Sequence, residues 1–326
     1  MLVELAGADT YKRVFFTNGG AESNENAIKM ARMVTGRTKI FSCYRSYHGA
    51  TLGASNASGD WRRYAAEIGG ANGFVHFMNP QMYRDGYTYG VDDEAVTKKA
   101  LADLDLQLRY EGPQNVAAIL MESIVGANGV ILPPKGYMEG VRKLCDEKGI
   151  LLILDEIQCG MGRTGSMFAY QQYGVKPDIM TSAKALGCGV PVGAFLMTER
   201  VAEKSLAPGD HGTTYGGNPF VGAAVDKVLE MMERDHITEH VKKVAPYLEK
   251  KLDELVAKYD FLTERRGMGL MQGVVCEKPV GQIAAKALEA GLIVITAGSN
   301  VLRFVPPLII EEKDVDEMIS RLESIL

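Results

Sequence analysis

Wholly apolar segments of strand length are the feature that most constrains how this chain can fold. NVAAILME (115–122) and ILLILDE (150–156) have no polar face before their final acids. Strands of this kind are buried on both sides, which is typical of parallel sheets covered by helices. Between them, residues 137–149 carry apolar side chains at helical spacing and predict a helix that ends at Gly149. The sequence therefore predicts an α/β domain with a largely parallel sheet flanked by helices.

The same alternation extends on either side of these two segments. Further strand candidates are RVFF (13–16), TKIFSCY (38–44), DIMTSAK (178–184) and PVGAFLMT (191–198). After about residue 235 the pattern changes to charged helices and short strands, which indicates a smaller C-terminal α+β domain. We therefore predict two domains, 1–235 and 236–326.

Charge and cysteine content narrow the classes of function. The net charge of −5 disfavours a nucleic-acid-binding or anionic-membrane surface. The five cysteines contain no C-x-x-C pair, so neither a metal knuckle nor a disulfide framework is indicated. No apolar segment approaches the ~18 residues of a membrane span, and the first residues do not resemble a signal peptide. We expect a cytoplasmic protein that binds neither nucleic acid nor membranes.

Residues 160–165, GMGRTG, match the G-x-G-x-x-G pattern of dinucleotide-binding loops. In such loops the first glycine directly follows the strand, and a helix N-terminus receives the pyrophosphate. Here Asp155 and Glu156 stand between the strand and the glycines, where their charge would repel phosphate. We therefore expect a glycine-rich turn and no nicotinamide or flavin site.

Polar residues end three of the predicted strands. Glu122, Asp155 and Lys184 would meet at one edge of a parallel sheet, where ligand sites of α/β proteins lie. A lysine and an aspartate facing one crevice suit pyridoxal phosphate, because the amine can bond to the aldehyde and the acid can pair with the pyridine nitrogen. A structural ion pair at the sheet edge is an equal alternative from these residues alone.

Three further segments would complete such a site, although each has a structural explanation. Gly20 and Ala21 open a predicted helix, where free N–H groups favour phosphate; a glycine turn capped by Ser23 or Asn24 is the alternative. SYHG offers Tyr47 to stack on a planar ring with His48 beside it, or forms a surface turn. HGTTYGGNP offers the hydroxyls of Thr213 and Thr214 beside a Gly-Gly turn.

Together these segments resemble class III aminotransferases. The resemblance runs from about residue 11 to the end of the chain, through LDEIQCGMGRTG, GVKPDIMTSAKALGCGVPVGAF and HGTTYGGNP. It implies the pyridoxal-phosphate transferase fold of type I, with a seven-stranded major sheet, and an aminotransferase acting on an amino donor and a 2-oxo acid. It also implies a homodimer with active sites at the interface.

The resemblance assigns roles residue by residue. Lys184 would be the Schiff-base lysine and Asp155 the partner of the pyridine nitrogen, and both are the expected catalytic residues. The other cofactor contacts that the resemblance implies are Gly20, Ala21, Tyr47, Gln158 and Thr214, the last reaching the neighbouring subunit's phosphate. His48, Glu122 and Thr213 are added to the expected cofactor contacts from the patterns described above. Arg303 in VLRFVPPL would bind the substrate α-carboxylate, and no metal is expected.

Within the class, two substrate types compete. From Asp155 onward the chain resembles acetylornithine and ornithine aminotransferases, which makes an acetylornithine-like ω-amino donor the first expectation. Ala50 and Ala127 instead replace the arginine and glutamate of those enzymes, and Gly19 replaces a common serine of the phosphate turn. YHGAT and GANGVILPPKGY look more like ω-amino acid:pyruvate or taurine:pyruvate transaminases, which is the alternative.

Two alternatives of other classes stay open. A pyridoxal-phosphate isomerase, either an aminomutase or a racemase, would use the same cofactor residues. Family members also carry a longer segment before RVFFTN, which we expect to be missing here. An inactive cofactor-binding fragment is therefore the third interpretation.

Overall fold

The computed structural model describes every residue of the chain except 68–69, 87–91, 206 and 208. Seven strands form the larger sheet: β1 (Tyr11–Thr17), β2 (Lys39–Cys43), β3 (Phe74–Phe77), β4 (Val116–Glu122), β5 (Leu151–Asp155), β6 (Ile179–Ser182) and β7 (Gly193–Thr198). Four strands form the smaller sheet: β8 (Leu262–Met268), β9 (Met271–Cys276), β10 (Ile295–Ala297) and β11 (Val301–Phe304).

Twelve α-helices accompany the strands within the described ranges. They are α1 (Leu2–Gly7), α2 (Gly20–Thr35), α3 (Leu52–Ala57), α4 (Tyr64–Glu67), α5 (Pro80–Gly86), α6 (Asp93–Glu111), α7 (Tyr137–Lys148), α8 (Glu199–Ser205), α9 (Pro219–Arg234), α10 (Ile237–Lys258), α11 (Gly281–Glu289) and α12 (Glu312–Glu323). None of the helices that the structure describes is long and apolar enough to cross a membrane.

The larger sheet has the strand order β1-β7-β6-β5-β4-β2-β3. Strand β7 runs antiparallel to both its neighbours, while the pairs from β6 through β3 are parallel. The expected α/β fold with a largely parallel, seven-stranded sheet is confirmed. Because β4, β5 and β6 are parallel, their carboxyl ends meet at one edge, as the sequence predicted.

Alternation along β5 explains why this strand has no polar face. Leu151 and Ile153 pack into the core beneath α2, whereas Leu152 and Leu154 pack into the core beneath α6 and α7. Successive side chains of a strand point to opposite faces, so helices on both faces require apolar residues at every position. Asp155 ends the strand where this coverage stops.

The smaller sheet is antiparallel, with the order β10-β11-β9-β8, and has its own apolar core against α10 and α12. Strand β8 was missed by the sequence analysis, and so was β3. Helix α9 packs into the large core and α10 into the small one, with His236 between them in a left-handed conformation (φ 48°). The division into 1–235 and 236–326 stays a prediction.

Candidate active site

A cavity of about 790 Å³ opens at the carboxyl ends of β4, β5 and β6. Glu122 and Asp155 pair directly across β4 and β5, and Asp155 pairs with Thr181 of β6. Lys184 follows β6 by two residues and lines the same cavity. The volume lies within the range typical of small-molecule sites.

Lys184 stands at the start of a short 3₁₀ turn, Lys184–Leu186. Its φ of 47° is in the left-handed region, which side chains other than glycine seldom adopt. Strain of this kind persists where the surrounding structure enforces it and often marks functional sites. Here it places an exposed lysine side chain at the cavity wall.

Asp155 is buried at the cavity and surrounded by N–H donors. Its Oδ2 accepts hydrogen bonds from Asn24 Nδ2 and His48 Nδ1, both at 2.8 Å, and its Oδ1 accepts one from Ile157 N at 3.0 Å. The proton is assigned to His48 Nδ1 because the facing atom is a carboxylate oxygen. His48 thus lies beside the acid, and its Nε2 is buried without a partner among the described residues.

Glu122 is the second acid of the cavity. Its Oε1 accepts from Tyr47 N and its Oε2 from Gly126 N, each at 2.9 Å. Burial, reinforced by the charge of Asp155, raises the pKa of Glu122 to about 7. Near neutral pH this carboxyl therefore exchanges between its neutral and charged forms.

The first turn of α2 forms another wall of the cavity through Gly20 and Ala21. A Cβ at Gly20 would come within 2.8 Å of Ile157 Cδ1, so this backbone needs glycine to approach the loop after β5. The helix cap is Gly19, with no capping side chain. The alternative of a cap by Ser23 or Asn24 is therefore wrong, because Ser23 Oγ bonds to Thr17 and Asn24 points to Asp155.

Tyr47 lines the cavity, and the guanidinium of Arg62 lies 3.9 Å from its ring centroid. The buried Asp60 fixes Arg62 by accepting from its Nε at 2.8 Å. Arg62 also lines the cavity and was missed by the sequence analysis. The only available signal was the charged segment GDWRRY after the YHG turn, which resembles any solvated surface.

Gln158 and Arg303 meet across the two sheets, since Arg303 Nη1 donates to Gln158 Oε1 at 3.3 Å. Arg303 belongs to β11, and burial lowers its pKa. Its Nε is buried without a partner in the described part of the chain. A Cβ at Gly126 would overlap Gln158 Oε1, so glycine there leaves room for the amide.

Thr213 and Thr214 are the two predicted residues that do not line the cavity. Thr213 Oγ1 accepts from Asn18 Nδ2 at 3.2 Å, and Asn18 is a cavity residue. Thr214 is exposed on the surface of this chain. All other predicted site residues come together at the cavity.

The GMGRTG segment forms turns from which no α-helix begins, as expected for a structural element. Gly162 and Gly165 have φ of 81° and 88°. Arg163 reaches the smaller sheet, where its Nη1 donates to Leu270 O at 3.2 Å and to Pro306 O. The motif therefore joins the two sheets.

The cavity residues fit pyridoxal phosphate. Four groups face one cavity of suitable size. They are the basic side chain of Lys184, the carboxylate of Asp155 with its orientation fixed by hydrogen bonds, the aromatic ring of Tyr47 and the helix N-terminus at Gly20. The buried Nε of Arg303 offers an additional unpaired donor there. Each polar group that the aldehyde, the pyridine nitrogen and the phosphate require is present.

Comparison with known proteins gives the same picture. A model of the family described as "Aminotransferase class-III" matches residues 1–326. Among curated proteins, the acetylornithine aminotransferase of Methanocaldococcus jannaschii is 42% identical over 331 residues, covering 99% of this chain and 76% of that protein.

Two solved structures extend the comparison. Taurine:2-oxoglutarate aminotransferase from Bifidobacterium kashiwanohense, in complex with PLP and glutamate, is 50% identical, with a TM-score of 0.94 over 99% of this chain and 77% of that one. An amine transaminase from an uncultivated Pseudomonas species, in its PLP-bound form, is 32% identical, with a TM-score of 0.93 over 99% and 78% of the two chains.

Proposed function

Because this chain belongs to the class III aminotransferases, which depend on pyridoxal phosphate, we propose that it transfers the amino group of an ω-amino donor to a 2-oxo acid in the cavity described above. The observation that carries this proposal is the meeting of Lys184, Asp155 and the start of α2 at one cavity. An ion pair at a sheet edge would not need the aromatic and helix-terminal groups around it.

The chain's own residues have distinct tasks in this proposal. When bound, the cofactor supplies an aldehyde that takes up amino groups and a ring that withdraws electrons. Asp155 would hold the ring nitrogen protonated, and Tyr47 would stack on the ring. Gly20 and Ala21 bind the phosphate through backbone N–H groups. Gln158, His48 and Glu122 line the cavity and would contact the bound cofactor.

Lys184 is the proposed proton carrier. Its Nζ would hold the cofactor and would accept and return the proton of the reacting carbon. Arg303 binds the α-carboxylate of the substrate through its guanidinium, for which two parallel N–H donors are suited. Its contact with Gln158 keeps it aimed at the cavity.

An acetylornithine-like donor is the first candidate substrate. The similarity to the acetylornithine aminotransferase of Methanocaldococcus jannaschii supports it, since 99% of this chain aligns with that protein. In this proposal Arg303 binds the α-carboxylate, a group that is present in both such a donor and its acceptor.

A short ω-amino acid with an anionic end, such as β-alanine, γ-aminobutyrate or taurine, is the second candidate. Ala50 and Ala127 line the cavity and carry no charge, whereas Arg62 adds a second guanidinium. A site with Arg62 and Arg303 suits substrates with acidic groups. The 50% identity to a protein named for taurine and 2-oxoglutarate also favours this candidate.

Absorption spectroscopy of the purified protein tests the cofactor assignment. Pyridoxal phosphate bound through Lys184 gives a visible band that should disappear in Lys184→Ala but remain in Lys143→Ala, whose lysine is exposed and does not line the cavity. A wild-type protein without such a band after addition of the cofactor contradicts the proposal.

A panel of half-reactions then separates the donors. Acetylornithine, ornithine, γ-aminobutyrate, β-alanine and taurine are each added without an acceptor, and the loss of the visible band is followed. Pyruvate and 2-oxoglutarate are then compared for their ability to restore it. An aminotransferase stops after one turnover until the oxo acid arrives, whereas an isomerase forms product continuously without one. A bound cofactor that no donor changes would instead indicate an inactive fragment.

The assembly proposed is a homodimer in the cytoplasm. The resemblance assigns Thr214 to the neighbouring subunit's phosphate, and its exposed position outside the cavity of its own chain supports that assignment. Small-molecule donors and oxo acids are the remaining partners proposed.

A further inference from the structure

Asn24 is a fully buried amide one helical turn after the glycines that open α2. We propose that Asn24 is a positioning residue, which aims one chosen oxygen of Asp155, Oδ1, at the ring nitrogen of pyridoxal phosphate. This inference rests on the cofactor site proposed above and deepens it.

Each hydrogen-bonding group of the Asn24 amide has a partner. Its Nδ2 donates to Asp155 Oδ2 and to the backbone oxygen of His48, both at 2.8 Å. Its Oδ1 accepts from Thr181 Oγ1, also at 2.8 Å. Because a flipped amide would bring Oδ1 against the carboxylate and carbonyl oxygens, only one orientation of Asn24 satisfies all three partners.

The pattern of donors distinguishes the two oxygens of Asp155. Oδ2 accepts from both Asn24 and His48, which together occupy its two lone pairs. Oδ1 accepts only the N–H of Ile157 within the described residues, so it keeps one lone pair. Since Asp155 borders the cavity, Oδ1 is the oxygen available to a ring N–H.

Helix α2 connects this acid to the proposed phosphate site. Gly20 and Ala21 border the cavity at the start of the helix, and Asn24 lies on the next turn. One rigid element therefore sets the distance between the phosphate cradle and Asp155. The backbones of β5 and β6 already pair at Asp155 and Thr181, so the sheet does not need Asn24 for its register. The role that remains for Asn24 is to fix the orientation of the Asp155 carboxylate.

The test compares two cofactors on the apo-protein. Pyridoxal phosphate and its carbocyclic analogue 1-deazapyridoxal phosphate differ in one ring atom, because C–H replaces the nitrogen that Asp155 addresses. Dissociation constants are measured by absorbance titration for wild type, Asn24→Ala and Asn24→Asp. Asn26→Ala is the matched control, since Asn26 is a buried asparagine of the same helix outside the cavity lining.

Wild type should prefer the natural cofactor over the analogue. In Asn24→Ala this preference should fall on the order of tenfold, as expected for one hydrogen bond to a charged group, with little change for the analogue. Asn26→Ala should keep the wild-type preference. Equal weakening of both compounds in Asn24→Ala means a general structural role, and an unchanged preference means no role; either result overturns the proposal.

Asn24→Asp is included as a second variant in case Asn24→Ala does not fold. It keeps the shape of the side chain but replaces the N–H donors by a carboxylate beside Asp155, so the preference should fall at least as far as in the alanine variant. Circular dichroism of the apo-proteins identifies folded variants, and Asn24→Asp decides if Asn24→Ala is unfolded. Wild type that binds neither compound would refute the cofactor site itself, which is a different result.

Discussion

The buried position of Glu122 leads to a prediction about how the stability of the protein depends on pH. Its burial, reinforced by the charge of Asp155, raises its pKa from 4.5 to about 7, although the N–H donors of Tyr47 and Gly126 favour the charged form. Between these values the folded protein binds more protons than the unfolded chain. The contribution of Glu122 to stability is therefore complete below the lower value and is lost as the pH rises through the higher one.

We expect Glu122→Gln to reduce this pH dependence, because glutamine does not titrate. Urea unfolding of the apo-protein near pH 5 and about pH 8 measures it. The difference in the free energy of unfolding between the two conditions should be smaller in Glu122→Gln than in wild type. Glu289→Gln, at an exposed position, should behave like wild type. Equal pH dependence in all three proteins would contradict the raised pKa.

Arg303 leads to a prediction about substrate binding. Its guanidinium reaches the cavity from β11 and contacts Gln158. Replacement by leucine removes charged hydrogen bonds to the substrate carboxylate, so KM for the 2-oxo acid should rise on the order of 10- to 100-fold. The affinity of the apo-protein for pyridoxal phosphate should change much less. Steady-state kinetics and a cofactor titration check the two parts, and a KM like that of wild type would remove Arg303 from the substrate site.

Single residues of the site differ in how well the sequence predicted them. Asp155 and Lys184 follow apolar strands, so the rule that parallel strands end at one edge identified them. Asn24 was considered only as a helix cap, because its partners Asp155 and Thr181 lie 131 and 157 positions away in the sequence. Arg62 was missed for a similar reason, since its place beside Tyr47 depends on the path of the loop.

At the scale of elements, the turn between β8 and β9 fits against the GMGRTG loop. Gly269 in that turn has a φ of 61°, and a Cβ there would come within 2.6 Å of Thr164 Cα. Leu270 N in turn donates to Arg163 O at 3.0 Å. This contact is made by backbone atoms on both sides. Relief of a steric clash here would therefore require the backbone of one element to shift, which costs free energy.

We expect Gly269→Ala to destabilise the protein by about 1–3 kcal/mol, from the positive φ and the close backbone contact together. Thermal and urea unfolding measure the loss. Gly222→Ala is the control, because its Cβ meets open space within α9 and should be neutral or slightly stabilising. If the two substitutions were equally harmless, the close fit of the two elements would be disproved.

The elements that the sequence analysis missed have a shared physical cause. Strand β8 (LTERRGM) has only exposed or half-buried residues beyond Leu262, and β3 (FVHF) lies at the end of its sheet with three half-buried residues. Edge strands do not need the continuous apolar pattern that identified β4 and β5. Their place in the sheet is set by pairing with β9 and β2, which local sequence does not reveal.

At the scale of the whole molecule, the homodimer proposed above leads to a prediction about exposed aromatic residues that follow Thr214 in the sequence. Tyr215 is 70% exposed and Phe220 73% exposed in the isolated chain. Aromatic residues are enriched in protein interfaces, where they bury large apolar areas. Their position next to Thr214 agrees with the proposed contact to a neighbouring phosphate.

We expect the wild-type protein to sediment as a dimer and Tyr215→Glu to shift it toward the monomer, because the interface would bury an unpaired charge. Tyr110→Glu is the control at another exposed tyrosine, which is 85% exposed, and should stay dimeric. Sedimentation velocity distinguishes the species. A monomeric wild type, or a Tyr215→Glu protein that stays fully dimeric, would be the contrary result.

The cavity takes its groups from both sheets: Asp155 ends β5 and Lys184 follows β6 of the larger one, whereas Arg303 belongs to the smaller one. Each sheet has its own core, and Arg163 is a point at which they are joined. In the proposed function, Arg303 therefore adds a substrate contact from the smaller sheet, while Lys184 and Asp155 hold the cofactor from the larger one. A substitution around β11 would then change how substrates are bound without removing a cofactor contact.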